Sequence, residues 1–262
     1  MARSDAGQPQ VWIVRVGHAN RVPASLRSAL LLSCGGYRSG STYCYNLVGE
    51  YVERANIGRR VGYLEPSQVP QLSGMWSLVD AIGLAVGKSH NAPGTAEGAE
   101  AWPALLDDAA TDVRPICTIR DFRDVLHSFS RKFGEAPEDV LTSRRWRINL
   151  ENVRWWLAHG ALPVRYEDLH AEPCAVLTRA LRWAGVGVEE RSVVAAAAAA
   201  APEQAAGITD QLPAATIDQR TLLHADHLAT PAGGGWRSWT AGRLARLRPT
   251  LDPVLTEFGY AW

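Results

Sequence analysis

The chain has 262 residues, 47% hydrophobic and 21% charged, a composition that suits one folded domain with a sizeable core and excludes collagen-like and low-complexity disordered classes. Lysine plus arginine (27) balances aspartate plus glutamate (27), so no global field draws it to nucleic acid or an anionic membrane, and any anion site must be local. The four cysteines, Cys34, Cys44, Cys117 and Cys174, form no C-x-x-C pair, the N-terminal ten residues lack a signal-peptide pattern and no apolar run reaches membrane-spanning length; a cytoplasmic location and a single domain over 1–262 are expected.

In chain order, Val11–Val16 reads as an edge strand or hairpin arm. Ala29–Ser33 is the first clear strand, followed by a glycine-rich turn and a helix from Ser41 to Arg54. Further strands are predicted at Gly83–Lys88, Pro115–Ile119 and Ala161–Arg165, and helices at Arg123–Lys132, Pro137–His159, Pro173–Ala184, Glu189–Ala201 and Ala241–Phe258. Gly207–Ala232, rich in Pro, Gly and Thr, reads as a mobile loop. Short β-branched runs alternating with helices argue for an α/β fold: a P-loop-like three-layer sandwich, with a central parallel sheet flanked by helices.

The turn after the first strand carries the most chemistry. Gly35 and Gly40 stand at P-loop spacing, followed by Ser41-Thr42 where a P-loop has Lys-Ser/Thr. Such a strand–turn–helix presents backbone N–H groups to an anion. Without the triphosphate lysine it suits a single 5′-phosphoryl group better than ATP, with Arg38 as a cation near the leaving oxygen. The plain alternative is a glycine turn with a Ser/Thr helix cap. After the third strand, Arg120 and Ser128 lie eight residues apart, a fork and a hydroxyl suited to a dianionic phosphate; the alternative is a helix start with solvated charges. The second strand ends Lys88-Ser89-His90, where a base titrating near neutrality sits beside a cation; by itself such a histidine is as readily a satisfied loop residue. Tyr166, after the fourth strand, is either packing or ligand contact.

These motifs together resemble the sulfotransferases that use 3′-phosphoadenylyl sulfate. Arg38-Ser39-Gly40-Ser41-Thr42-Tyr43 is similar to that family's 5′-phosphosulfate loop, Lys-Ser-Gly-Thr-Thr-Trp. Arginine at its first place exchanges a point charge for a planar fork. The Arg120–Ser128 spacing resembles the 3′-phosphate motif, Lys88-Ser89-His90 resembles Lys-Thr-His, and Tyr166-Glu167-Asp168-Leu169 matches Tyr-Glu-Asp-Leu. Gly233-Gly234-Gly235-Trp236-Arg237 resembles the end of the nucleotide-closing loop, but the family's Arg-Lys-Gly clamp falls on Ala229-Thr230-Pro231; Arg237 or His227 is the candidate substitute. The resemblance implies 3′-phosphoadenylyl sulfate as donor and adenosine 3′,5′-bisphosphate as product. It also implies a small-molecule acceptor, no metal, His90 as general base, Lys88 and Arg38 as cations at the transferring group, and Arg38, Ser39, Gly40, Ser41, Thr42, Tyr43, Arg120, Ser128, Tyr166 and Arg237 as nucleotide contacts. A P-loop-type kinase and a catalytically silent nucleotide-binding module are the rival readings. Oligomeric state and the acceptor's identity are not encoded in any motif.

Overall fold

Ala29–Gly35 is buried at every position, because this strand, β1, lies at the centre of a sheet covered on both faces. The computed structural model describes residues 29–65, 83–90, 112–214, 216–225 and 233–262; the Val11–Val16 expectation lies outside them. Four further strands, β2 (Gly58–Tyr63), β3 (Leu84–Lys88), β4 (Val113–Ile119) and β5 (Leu162–Arg165), complete a five-stranded sheet of order β2-β3-β1-β4-β5. Every pairing is parallel.

The alternation of side chains along β1 sorts its residues into two cores. Leu30, Leu32 and Cys34 face a layer containing helices α2 (Phe122–Phe133), α4 (Arg144–Ala158) and α9 (Ala241–Glu257), where they pack with Leu126, Trp156 and Leu251. Ala29 and Leu31 face the other layer, formed by α1 (Ser41–Arg54), α6 (Pro173–Trp183) and α7 (Glu190–Ala199), with Leu47, Leu177 and Ala196. Each fully buried leucine contributes about 1.5–3 kcal/mol. The expected parallel α/β sandwich is what forms.

Four elements differ from the sequence reading. Strand β2 was not expected, because two arginines and two glycines in Gly58-Arg59-Arg60-Val61-Gly62-Tyr63 hide its strand character. Its Arg60 is nevertheless enclosed, its side chain 3% exposed, and bonds to Glu50 Oε1 and Glu53 Oε2, both at 2.6 Å. The single helix expected over Pro137–His159 is two, α3 (Pro137–Thr142) and α4. They part at Ser143, whose extended backbone and hydroxyl, accepting from Trp146 N at 3.2 Å, cap α4. Tyr166–Ala171 forms a short helix, α5, directly after the fourth strand, where no element was expected. The stretch read as a loop from Gly207 instead opens inside helix α8 (Pro202–Thr209) and later makes a bridge between Ile217 and His224.

That bridged segment is fastened to α1: Arg220 donates to Glu50 Oε1 and Glu53 Oε2 at 2.8 Å, and Asn46 Nδ2 donates to the Thr221 carbonyl at 2.9 Å. Burial pushes the Glu53 carboxyl up, but hydrogen bonds from Arg60 and Arg220 outweigh it and hold the group down at about 2. A carboxyl depressed in the fold contributes stability that is complete above its ordinary pKa and is lost as pH falls toward the folded one. Unfolding in urea should therefore show stability declining from about pH 4.5 to about pH 2, and Glu53→Gln should be less stable at pH 7 yet decline less over that window. Equal declines in the two proteins would contradict the assignment.

Candidate active site

The carboxyl ends of four adjacent strands meet where the chain order reverses. β1 lies between β3 and β4, so its following turn opens beside the ends of both, the crevice at which open α/β sheets bind ligands.

The turn of residues 36–40 is possible only because of its neighbours' shapes. Gly35 has φ 118°, and a Cβ there would lie 2.4 Å from the Thr118 carbonyl oxygen on β4. Gly40 has φ 91°, and a Cβ there would lie 2.4 Å from the Tyr166 ring. Between them Ser39 is buried; its hydroxyl meets the Gly36 carbonyl at 2.6 Å and Thr118 Oγ1 at 2.7 Å. From the far side Asn149 of α4, itself buried, accepts from Tyr37 N and donates to its carbonyl. Gly40 occupies the cap position of α1 without a side-chain cap. The Ser/Thr-capped alternative is thus not what forms, and the first-turn N–H groups of a 14-residue helix face the crevice.

Arg38 itself has φ 65°, a conformation costly for a residue with a side chain. Its Nε donates to Ser128 Oγ at 2.7 Å, and Arg120 Nη1 donates to its carbonyl at 3.3 Å. Arg120 is buried, its guanidinium 4.1 Å from the Tyr166 ring centre, and its Nε has no hydrogen-bond partner among the described residues. Burial, and then the Arg120 charge, pull the Arg38 pKa below its ordinary value. Among the described residues neither Arg38 nor Arg120 makes a salt bridge, in contrast to Arg60 and to Arg123, which is bound to Asp121 at 2.6 Å. Two neighbouring guanidinium groups without a carboxylate, backed by a hydroxyl and an aromatic face, can accept a multiply charged phosphate.

On the other side of the turn, Lys88 and His90 are both buried, with Lys88 Nζ 2.9 Å from His90 Nε2. His90 Nδ1 lies 3.1 Å from the Gly35 carbonyl oxygen. A carbonyl can only accept, so Nδ1 carries the hydrogen and Nε2 the lone pair. Desolvation pushes Lys88 down to about 7. The His90 ring lies 4.3 Å from the Tyr37 ring and 6.2 Å from that of Tyr63.

Of the sequence candidates, Lys88, His90, Arg38, Ser39, Gly40, Arg120, Ser128 and Tyr166 thus join one continuous cluster, with Ser41 and Thr42 buried at the start of α1. Tyr43 stands one ring further out, 5.2 Å from His170, which in turn contacts Tyr166 at 4.4 Å. Arg237 is exposed and stays within its own turn, 5.0 Å from the Trp236 ring. That turn is nonetheless docked on α2, where Gly234 N donates to Asp124 Oδ2 at 2.7 Å. His227 lies outside the described residues. Sequence reading missed Asn149, Thr118, Tyr63 and Glu167. The Glu167 carboxylate accepts from Asp121 N at 3.0 Å and from the Tyr260 hydroxyl at 2.9 Å, tying the ends of β4 and β5 to the C-terminal segment. Glu167 stood within a quoted motif; the others carry no local signal, because their partners are remote in sequence.

No protein-family model matches the chain, and no curated protein does either. Solved structures do. Retinol dehydratase in complex with retinol and PAP (adenosine 3′,5′-bisphosphate) superposes with a TM-score of 0.56 at 16% identity, over 88% of this chain and 82% of that one. Mouse sulfotransferase SULT7A1 complexed with PAP gives 0.54 at 11% identity, over 88% and 85%. The sulfotransferase domain of the Synechococcus PCC 7002 olefin synthase gives 0.52 at 17% identity, over 92% and 98%. At such identities the likeness is one of fold, and the fold is that of these proteins.

The contact between Gly40 and Tyr166 is open to test. Gly40→Ala should destabilise the protein by about 1–3 kcal/mol, because the new Cβ brings backbone strain and meets the ring. In a Tyr166→Ala background the ring is gone and only the strain remains, so the cost of Gly40→Ala should fall. Urea unfolding of the double-mutant cycle measures the difference; strict additivity would rule the contact out.

Proposed function

We propose that this protein is a sulfotransferase that moves a sulfuryl group from 3′-phosphoadenylyl sulfate to a hydroxyl or amine of a small-molecule acceptor. The observation that carries the reading is the juxtaposition, around one glycine turn, of two guanidinium groups that form no salt bridge among the described residues and a Lys–His pair on the next strand end. The fold shared with PAP-bound proteins supports it. Four free cysteines fit a reducing, cytoplasmic setting, and among the described residues no helix is long and apolar enough to cross a membrane.

The residues present fit this donor. The turn of residues 36–40 and the start of α1 hold the 5′-phosphosulfate end through backbone N–H groups and Arg38. Arg120, with its unpartnered Nε, and Ser128 hold the 3′-phosphate. Tyr166 and Tyr43 flank the base, whereas Arg237, exposed on its own turn, is not among the residues that meet the cluster.

When bound, the donor supplies an activated sulfuryl group on a phosphate leaving group. The acceptor oxygen forms its bond to sulfur as the bond between sulfur and the 5′-phosphate oxygen breaks, and that oxygen keeps the electron pair. His90 Nε2 takes the acceptor's proton, with Nδ1–H held on the Gly35 carbonyl so that the resulting imidazolium stays in place. Lys88 and Arg38 offset charge on the transferring group and the departing phosphate, about 3 kcal/mol for each well-placed donor. No step draws on a metal ion.

Two measurements test the reading. His90→Ala should abolish sulfate transfer to a phenolic acceptor panel while calorimetry shows adenosine 3′,5′-bisphosphate still binding; loss of both together would remove His90 from the role of base. Arg120→Ala should weaken that bisphosphate at least tenfold and leave adenosine 5′-phosphate almost unaffected, whereas equal weakening of both ligands would place the 3′-phosphate elsewhere. Bisphosphate binding with no transfer by the unaltered protein would favour the silent nucleotide-binding module. Binding of ATP in preference to the bisphosphate would favour the kinase.

A further inference from the structure

The base and the cation at the end of β3 are hydrogen-bonded to each other. With Nδ1–H spent on the Gly35 carbonyl at 3.1 Å, Nε2 is the only position from which His90 can accept a proton, and Lys88 Nζ stands 2.9 Å from it. A lone pair that already accepts an N–H from lysine cannot take a proton from an acceptor hydroxyl.

Of the two partners, only one can move. The imidazole is held by the Gly35 carbonyl, by the Tyr37 ring at 4.3 Å, and by its own backbone N–H, which donates to the Tyr63 hydroxyl at 3.4 Å. Lys88 has a four-carbon stem and three equivalent donors, and its second neighbour is the Tyr63 ring, 5.0 Å from Nζ. Among the described residues the titratable groups facing the pair are the Tyr37 and Tyr63 phenols, both raised by burial, with the Glu65 carboxylate acting on both phenols. Lys88 makes no salt bridge among these residues. What draws a buried ammonium away from a neutral imidazole is a full negative charge within reach.

We propose that Lys88 gates the base: it caps His90 Nε2, and leaves it only when an anionic group of the sulfuryl donor attracts its N–H groups, so that His90 gains a working lone pair after the donor has bound. Desolvation of Lys88, which loosens its own proton, supports a pair that holds one proton between two nitrogens. The proton balance is simple. Before release the proton is shared between Nζ and Nε2. After release Nζ keeps it on the anion, and Nε2 is free to receive the acceptor's proton. The capping contact rests on geometry alone, whereas the release step rests on the proposed donor.

Nitrogen-15 NMR of the histidine side chains in the 262-residue chain reads Nε2 directly: His90→Gln removes the two His90 ring resonances, and the one without a directly bonded hydrogen is Nε2. In the unaltered protein without nucleotide, the His90 Nε2 signal should lie upfield of a free imine nitrogen, and Lys88→Met should move it downfield. Lys88→Gln serves as a second variant, and circular dichroism of both confirms folding. Addition of 3′-phosphoadenylyl sulfate without acceptor should produce the same downfield shift in the unaltered protein and none in Lys88→Met, with calorimetry on the same samples reporting binding. An Nε2 signal indifferent to both Lys88 substitutions overturns the proposal whatever the nucleotide does. A shift with Lys88→Met but none on nucleotide that calorimetry shows to be bound overturns the gate. Absence of nucleotide binding overturns the donor assignment and the release step with it, an outcome distinguishable from the other two because the first comparison needs no nucleotide.

Discussion

Enclosed positive charge at one sheet edge is the constraint on which the rest of this structure depends. Taking a guanidinium or ammonium out of water costs several kcal/mol unless an opposite charge compensates it. Arg60 and Arg123 obtain that compensation inside the chain, from Glu50 and Glu53 and from Asp121. Arg120 and Lys88, equally buried, have no carboxylate partner among the described residues. The hydrophobic layers on either side of β1 supply the stability that lets such a cluster persist, and an anion placed there would offset the cost. A site organised in this way has its dipoles and donors aimed before the ligand arrives, the condition under which electrostatic stabilisation of a transition state is most effective.

Backbone geometry then decides how these charges are arranged around the turn. The Gly35 carbonyl orients His90, Thr118 and Asn149 hold the turn from two sides, and the Tyr166 ring packs over Gly40 while stacking on Arg120. His90, Thr118, Asn149 and Tyr166 are all remote from the turn in sequence. The turn is therefore a product of three strand ends and two helices, and changes in α4 or α5 reach the crevice through it. The same logic places Glu167: it fixes the backbone of Asp121, next to Arg120, and secures the Tyr260 hydroxyl.

Arginines of like chemistry are also separated by role at the turn of residues 233–238. Gly234 is bound to Asp124, and the Trp236 ring lies 4.1 Å from the Arg123 guanidinium, so the turn is anchored on the helix that carries Ser128. Arg123 keeps its charge partner Asp121 and also donates to the Ala261 carbonyl at 2.8 Å. It is a brace, although it lies three residues from Arg120 and shares its chemistry.

Strong local signals made the central strand, helix α1 and the order of the motifs legible in the sequence: a doubly buried strand must be apolar at consecutive positions, and a left-handed turn must place glycine where β1 ends. The residue types at Arg38, Lys88, His90, Arg120 and Tyr166 were legible for the same reason, since each stands at or just beyond the end of a recognisable element. Strand β2 was hidden because its Arg60 is satisfied by carboxylates of α1, and the break at Ser143 because one serine hydroxyl decides it. Which arginine is neutralised, which nitrogen of His90 holds the lone pair and what caps it were settled only by tertiary structure. Those properties depend on distances between atoms far apart in the chain, and side-chain identity and spacing alone do not carry that information.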